Sequence, residues 1–242
     1  MVDGNSHDKT QAVAQKFSSV LNITITTARR NLSFQRNYGS TLAQNPYLVF
    51  LDADTRVHRT FINKLKNEVQ KTKHLIYLPT IIPAGGTYPD QLVFQFANLF
   101  VELSLSLGKP LPSASAMIFQ KDYFHFLGGY TEKNNGTNLF PEDHDIIMRA
   151  YKGGVKARFM RNIKVYFSLR RIEKEGRVQA YKNYLTSGIE MTLKGKFDKK
   201  IEYKMGGQYY KDGRYNESIE ESEQNDILFQ IKQFMDKILD EE

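Results

Sequence analysis

The stretch Tyr47-Leu48-Val49-Phe50-Leu51-Asp52-Ala53-Asp54-Thr55 decides how the rest of the chain is read. Five apolar residues run without a break and stop at two carboxylates. A short apolar run bounded by turn signals suits a strand buried on both faces. Asn45-Pro46 opens it and Asp52 closes it. In open α/β sheets, ligands bind beyond the carboxyl ends of the strands. Two acids there, two positions apart on extended chain, point to the same side. Such a pair suits a hard divalent cation, because magnesium takes one or two carboxylates together with phosphate oxygens. A lone Asp-x-Asp more often caps a strand toward solvent, so its neighbours must decide.

Upstream, Val2-Asp3 ends a strand that runs into the turn Gly4-Asn5-Ser6. Ser6 suits the N-cap of a helix over 8–19, with Val13, Phe17 and Val20 inward. Ile23-Thr24-Ile25-Thr26 alternates and reads as a strand. Ser33 suits the cap of a helix over 34–44, with Arg36 and Asn37 off its apolar face. Downstream, a helix over 59–72 turns Phe61, Ile62, Leu65 and Val69 inward, and 74–82 is a strand. The segment 89–107 is an amphipathic helix whose wet stripe is Gln91, Gln95, Asn98 and Glu102, which argues against a membrane span. A strand at 115–119 leads to Phe126-Leu127-Gly128-Gly129-Tyr130. Pro141 and three acids start a helix over 141–152, and Gly153-Gly154 stops it. Strand follows over 155–168, then a basic helical region from Ser168, and finally an amphipathic helix at about 225–239. Strands alternate with helices through the first 120 residues, so a mainly parallel sheet with helices on both faces is expected.

The chain has 242 residues, 40% of them hydrophobic, and no cysteine, which excludes disulfides and thiolate metal sites. Met1 is followed at once by Val2-Asp3-Gly4, so no secretion leader is expected and the localisation reads as cytoplasmic. Lys and Arg outnumber Asp and Glu by 17 to 6 over 152–214, whereas acids lead by 9 to 2 over 215–242. A basic block faces phosphates, anionic lipid or nucleic acid, or is simply a solvated face. No nucleic-acid module is visible, so nucleic acid is not expected as a partner.

Polar clusters interrupt apolar elements at Asp3 to Ser6, at Asp52 to Asp54 and at Glu142-Asp143-His144-Asp145. In order and spacing the chain resembles the family 2 glycosyltransferases of the GT-A fold. The matching stretches are Val2 to Thr10, Arg36-Asn37-Tyr38-Gly39, Leu51 to Thr55, Phe126 to Tyr130, Pro141 to Asp145 with Arg149, and Ser168 to Arg171 with Gly176. Any one is weak, but the ordered set is specific. It covers about residues 2–180, leaving 181–242 as a basic then acidic extension with its helix.

The resemblance implies a GT-A α/β domain that transfers a sugar, with inversion, from a UDP- or GDP-linked donor. The basic block hints at a glycan or lipid-linked acceptor of the cell envelope, with peripheral association at the inner membrane face. Carried over, Asp3, Ser6, Arg36 and Asp52 contact the nucleotide sugar. Asp54, with Asp52, ligates Mg or Mn. Gly128, Gly129, Glu142 and Arg171 line the donor and acceptor side, and Asp143 is the general base. One departure matters. The family's chain begins with a strand well before the turn at Asp3, whereas Met1 abuts that turn here. A truncated N-terminus is expected first, ahead of a strand supplied by a neighbouring chain or an impaired domain. The strand it would supply lies between the one ending at Asp3 and the one at 47–51. Gly4 also stands where many members carry a second aspartate. Two alternatives remain at this level: a non-catalytic nucleotide-sugar-binding scaffold, and a GT-A-like sugar nucleotidyltransferase, against which the Glu-Asp helix argues.

Overall fold

A computed structural model describes residues 1–112, 115–132 and 142–194. In chain order the elements begin β1 (Val2–Asp3), α1 (Thr10–Gln15), β2 (Thr26–Thr27), α2 (Leu32–Leu42), β3 (Tyr47–Leu51), β4 (Arg56–Val57), α3 (Phe61–Thr72) and β5 (Ile76–Pro83). They continue with α4 (Tyr88–Ser106), β6 (Ala116–Gln120), α5 (Lys121–Phe126), α6 (Glu142–Lys152), β7 (Arg158–Phe167), α7 (Arg170–Glu175) and α8 (Arg177–Lys194). Two sheets form among the described residues: β1-β2, and a five-stranded sheet in the order β3-β6-β5-β7-β4.

The α/β expectation holds, but strand directions are mixed. Strands β1 and β2 pair in parallel, whereas β3 with β6, β5 with β6 and β4 with β7 are antiparallel. Alternation of strands and helices does not encode direction.

The chain divides into two compact units, the first comprising Met1–Asp52, Thr60–Pro79 and Pro112–Ile163. Its core gathers Leu48, Ile76, Tyr77, Leu78, Ile118 and Phe119 from the sheet with Phe124, Ile146 and Ile147 from α5 and α6. Phe50, Phe119, Phe124 and Tyr130 form an aromatic cluster with ring centroids 5.0 to 6.4 Å apart. The strand β3 is not buried on both faces: among the described residues it is hydrogen-bonded to β6 alone, and Leu51 is exposed. Sheet β1-β2 is likewise separate from it.

Several expected elements shift. Helix α1 ends at Gln15, so Val13, Phe17 and Val20 are exposed rather than inward. The ribbon of β1 and β2, two residues each, presents too little surface to receive them. Ser6 bonds Asp3 instead of capping α1, and the second strand is Thr26–Thr27. Asn31 caps α2 by accepting from the Phe34 N–H at 2.8 Å, while Ser33 is buried with its hydroxyl unpartnered. On α3, Phe61 and Leu65 are buried but Ile62 faces outward.

The second unit comprises Ala53–Arg59, Thr80–Leu111 and Lys164–Glu242. Helix α4 opens with a capping box, in which Thr87 and Asp90 satisfy each other's backbone N–H groups. Asn98 does not belong to a wet stripe: its side chain brackets Ile81, accepting from N–H at 2.9 Å and donating to C=O at 2.6 Å. Leu169, Ile172, Ala180 and Tyr181 pack with Val93, Phe94 and Phe167, tying α7 and α8 to α4. Among the described residues no helix is long and apolar enough to cross a membrane. The expected Pro141 helix start and the helix at 225–239 lie outside the described residues.

Candidate active site

Helix α2 carries Arg36 one turn in from its Asn31 cap, and Arg36 organises the first unit's polar centre. Its Nη2 donates to Asp52 Oδ1 at 2.8 Å and its Nη1 to Glu142 Oε1 at 2.7 Å. The guanidinium also lies over the Tyr130 ring, 5.1 Å from its centroid. One planar fork thus joins the end of β3, the start of α6 and the aromatic cluster, which a lysine could not do. Burial alone would lower the Arg36 pKa, but Tyr130, Asp52, Glu142 and Asp143 outweigh it and hold the guanidinium charged.

The carboxyls beside it respond the other way. Glu142 is raised by burial despite Arg36. Asp143 is pushed up to about 7 by burial and by the neighbouring Glu142 charge, with Arg36 pulling back. Its Oδ1 accepts from the His144 N–H at 2.9 Å. A carboxylate titrating near neutrality is matched to proton transfer at working pH. His144, by contrast, is lowered by burial.

The Gly128–Gly129 turn is held from two sides. Asn37 donates to Tyr130 O and accepts from Tyr130 N, both at 2.8 Å. Arg149 donates to Gly129 O at 2.7 Å and to Leu127 O, and is itself fixed by Asp145, four residues earlier on α6, at 2.9 Å. Gly129 has φ +67, and a Cβ there would lie 2.5 Å from Asn37 Oδ1. Gly129→Ala should therefore cost at least ~1–2 kcal/mol, read as a lower denaturant midpoint at unchanged slope. A midpoint equal to wild type would mean the turn is not held this way.

Asp3 is buried in its own turn, accepting from Ser6 N at 2.8 Å, Ser6 Oγ at 2.7 Å and Gln11 Nε2 at 2.9 Å. Burial would raise its pKa, but these donors together lower it. Beside the turn lies an open hollow of ≈ 600 Å³ lined by Gly4, Asn5, His7, Thr27, Arg29 and Arg30. His7 falls within the Val2 to Thr10 stretch, whereas Arg29 and Arg30 belong to no family motif.

In the second unit, Asp54 accepts from Arg170 Nη2 at 2.9 Å. Arg171 lies 4.0 Å from Glu175. Asp52 and Asp54 offer the hard oxygen donors that Mg2+ or Mn2+ prefers, so the donor chemistry fits such an ion. Among the described residues no three His, Asp or Glu side chains are grouped as metal ligands.

The family model for glycosyl transferase family 2 matches residues 1–125, just over half the chain. The chain belongs to glycosyl transferase family 2. Solved structures agree on the fold of this family 2 member. S. aureus TarS 1-349 is 16% identical with a TM-score of 0.56, over 79% of this chain and 61% of that one. The same protein in complex with UDP-GlcNAc gives 16% and 0.53, over 69% and 48%. The mannosyltransferase PcManGT from Pyrobaculum calidifontis, in complex with GDP-Man and Mn2+, gives 15% and 0.53, over 76% and 54%. All are GT-A glycosyltransferases, and at such identity the likeness establishes the fold alone. The family 2 chain spans about 60% of TarS 1-349. No curated protein sequence matches it.

Proposed function

We propose that this family 2 protein is an inverting glycosyltransferase that moves a sugar from a nucleoside-diphosphate donor to an acceptor hydroxyl. The observation that carries the reading is the Arg36 cluster. It brings Asp52 and Glu142, with Asp143 beside them, onto one guanidinium from positions 16 and 106 residues away.

Asp143 takes the acceptor proton as the hydroxyl oxygen attacks the anomeric carbon. The bond from that carbon to the phosphate oxygen breaks, and the nucleoside diphosphate leaves with its electron pair. A single in-line displacement needs one base and one stabilised leaving group, so no second nucleophile is required. Arg36 holds Asp52 and Glu142 in place and, with Asp3 and Ser6, faces the nucleotide. The twisted Gly128–Gly129 turn presents backbone on the acceptor side. Arg170 and Arg171 supply positive charge for diphosphate. A divalent ion held by Asp52 and Asp54 would act as a Lewis acid toward the departing diphosphate. The UDP-GlcNAc in TarS and the GDP-Man with Mn2+ in PcManGT make UDP- and GDP-sugars the donors to test first. The basic block favours a lipid-linked acceptor at a membrane surface.

The test incubates the full chain with UDP-GlcNAc or GDP-Man and Mn2+ and measures nucleoside diphosphate released. Asp54→Asn should lower release at least ~10-fold and raise the Mn2+ concentration needed for half-maximal rate. Equal turnover in this variant would remove Asp54 from the metal site.

A second reading, a nucleotide-sugar binder without turnover, draws on the separation of the β1-β2 ribbon from the five-stranded sheet. Calorimetric binding of UDP-GlcNAc or GDP-Man with no release of diphosphate would select it.

A further inference from the structure

We propose that Asp90 is a positioning residue that aims Arg170 at Asp54. Its meaning for the donor diphosphate rests on the sugar-transfer reading above, while its geometry does not. Asp90 is completely buried near the start of α4. A buried carboxylate is costly unless its oxygens are filled, and these are filled from two elements. Thr87 donates from its N–H at 2.6 Å and its hydroxyl at 3.0 Å. From α8, Arg177 Nε donates at 3.1 Å and the Tyr181 hydroxyl also donates. A helix cap needs only the first pair. The second pair latches α8 to α4.

The latch bears on Arg170 through its chain neighbour. A Cβ on Gly86 would lie 2.6 Å from both Asp90 Oδ2 and Leu169 Cδ1, so Leu169 is seated against the latch with no room to spare. Gly86 itself has φ +89, which a side chain would strain. Leu169 and Ile172 pack in one cluster with Tyr181 and Ala180. Arg170 is therefore carried between two anchored residues. It extends to Asp54 at 2.9 Å while its Nε donates to Ser168 Oγ at 3.1 Å. The Arg170–Asp54 pair is itself well exposed, and such pairs are too weak to hold a geometry on their own. The direction of Arg170 comes from the backbone that Asp90, Tyr181 and Arg177 fix.

The test compares the full-length wild type with Tyr181→Phe, Arg170→Gln, the double variant and the conservative Arg177→Lys. Two quantities are read: amide hydrogen exchange of residues 168–176, and affinity for UDP or GDP in the presence of Mn2+. Tyr181→Phe should speed exchange of 168–176 about tenfold and weaken nucleotide binding three- to tenfold. In the Arg170→Gln background the same substitution should change affinity less than twofold, because its effect passes through Arg170. Arg177→Lys keeps a cation on Asp90 and should give a smaller change of the same sign. Unchanged exchange in 168–176, or an affinity loss of equal size in both backgrounds, would overturn the proposal. If neither nucleotide binds the wild type, the sugar-transfer reading falls, and the exchange measurement alone decides whether the latch orders the Arg170 segment.

Discussion

Asp143→Asn is expected to leave a folded protein whose kcat for sugar transfer is ~10²–10⁴-fold below wild type, the range that a positioned general base contributes. The amide keeps the shape and can still accept from the His144 N–H, but it cannot take a proton. The same change should raise stability. Burial and the Glu142 charge hold the Asp143 pKa at about 7 in the folded chain, above the 3.8 of an unhindered carboxyl. Above pH 7 the folded state must therefore carry a charge that its surroundings disfavour, a cost the unfolded chain escapes. The gain in the Asp143→Asn variant, on the order of 1 kcal/mol, is largest above pH 7, shrinks as pH falls from 7 toward 4, and disappears only below about pH 3, where wild type is protonated in both states. A variant that loses activity and gains thermal stability in that pH window would mark Asp143 as a residue kept for chemistry.

Arg36→Met is expected to have the largest effect on stability. It removes the only described guanidinium shared by Asp52 and Glu142 and leaves Glu142, 8% exposed at its side chain, without its ion pair. Removing one partner from a buried pair costs ~3–5 kcal/mol, and partial exposure of Asp52 brings the expected loss to ~2–4 kcal/mol at neutral pH. The sign with pH follows from the acids left behind. Glu142 and Asp143 already titrate above their ordinary values, and losing a cation raises them further. The deficit should therefore grow as pH rises through neutrality and ease toward pH 5, where both acids take up protons. Arg36→Lys keeps the charge but cannot serve both carboxylates with one planar fork, so about half the loss should remain. Urea unfolding at pH 5 and pH 8 measures both variants. A loss below ~0.5 kcal/mol for Arg36→Met would mean that the cluster does not bind the elements together.

The sequence made the acids legible because each stands where an apolar run or a helix begins or ends. Asp52 closes β3, and Glu142-Asp143 opens α6. It could not show that Arg36 reaches both, since a fork spanning 16 and 106 residues of chain is a product of packing. The turn at Gly128–Gly129 was readable as a turn, but its braces from Asn37 and Arg149 were not. Thr87-x-x-Asp90 has the spacing of a capping box, yet the partners Arg177 and Tyr181 are more than 80 residues away and carry no pattern. Val13, Phe17 and Val20 misled because periodicity predicts a face without supplying anything to cover it. Strand direction failed because the alternation of strands and helices does not report it: β6 runs antiparallel to β5.

The most direct test of the central claim is the pH dependence of kcat/KM for diphosphate release from UDP-GlcNAc or GDP-Man, wild type against Asp143→Asn. The account predicts a wild-type limb that rises with pH through a midpoint near 7, set by Asp143, and a residual rate in the variant that is low and flat over the same range. A wild-type profile flat from pH 5 to 9, or a variant that keeps the same limb, would contradict it.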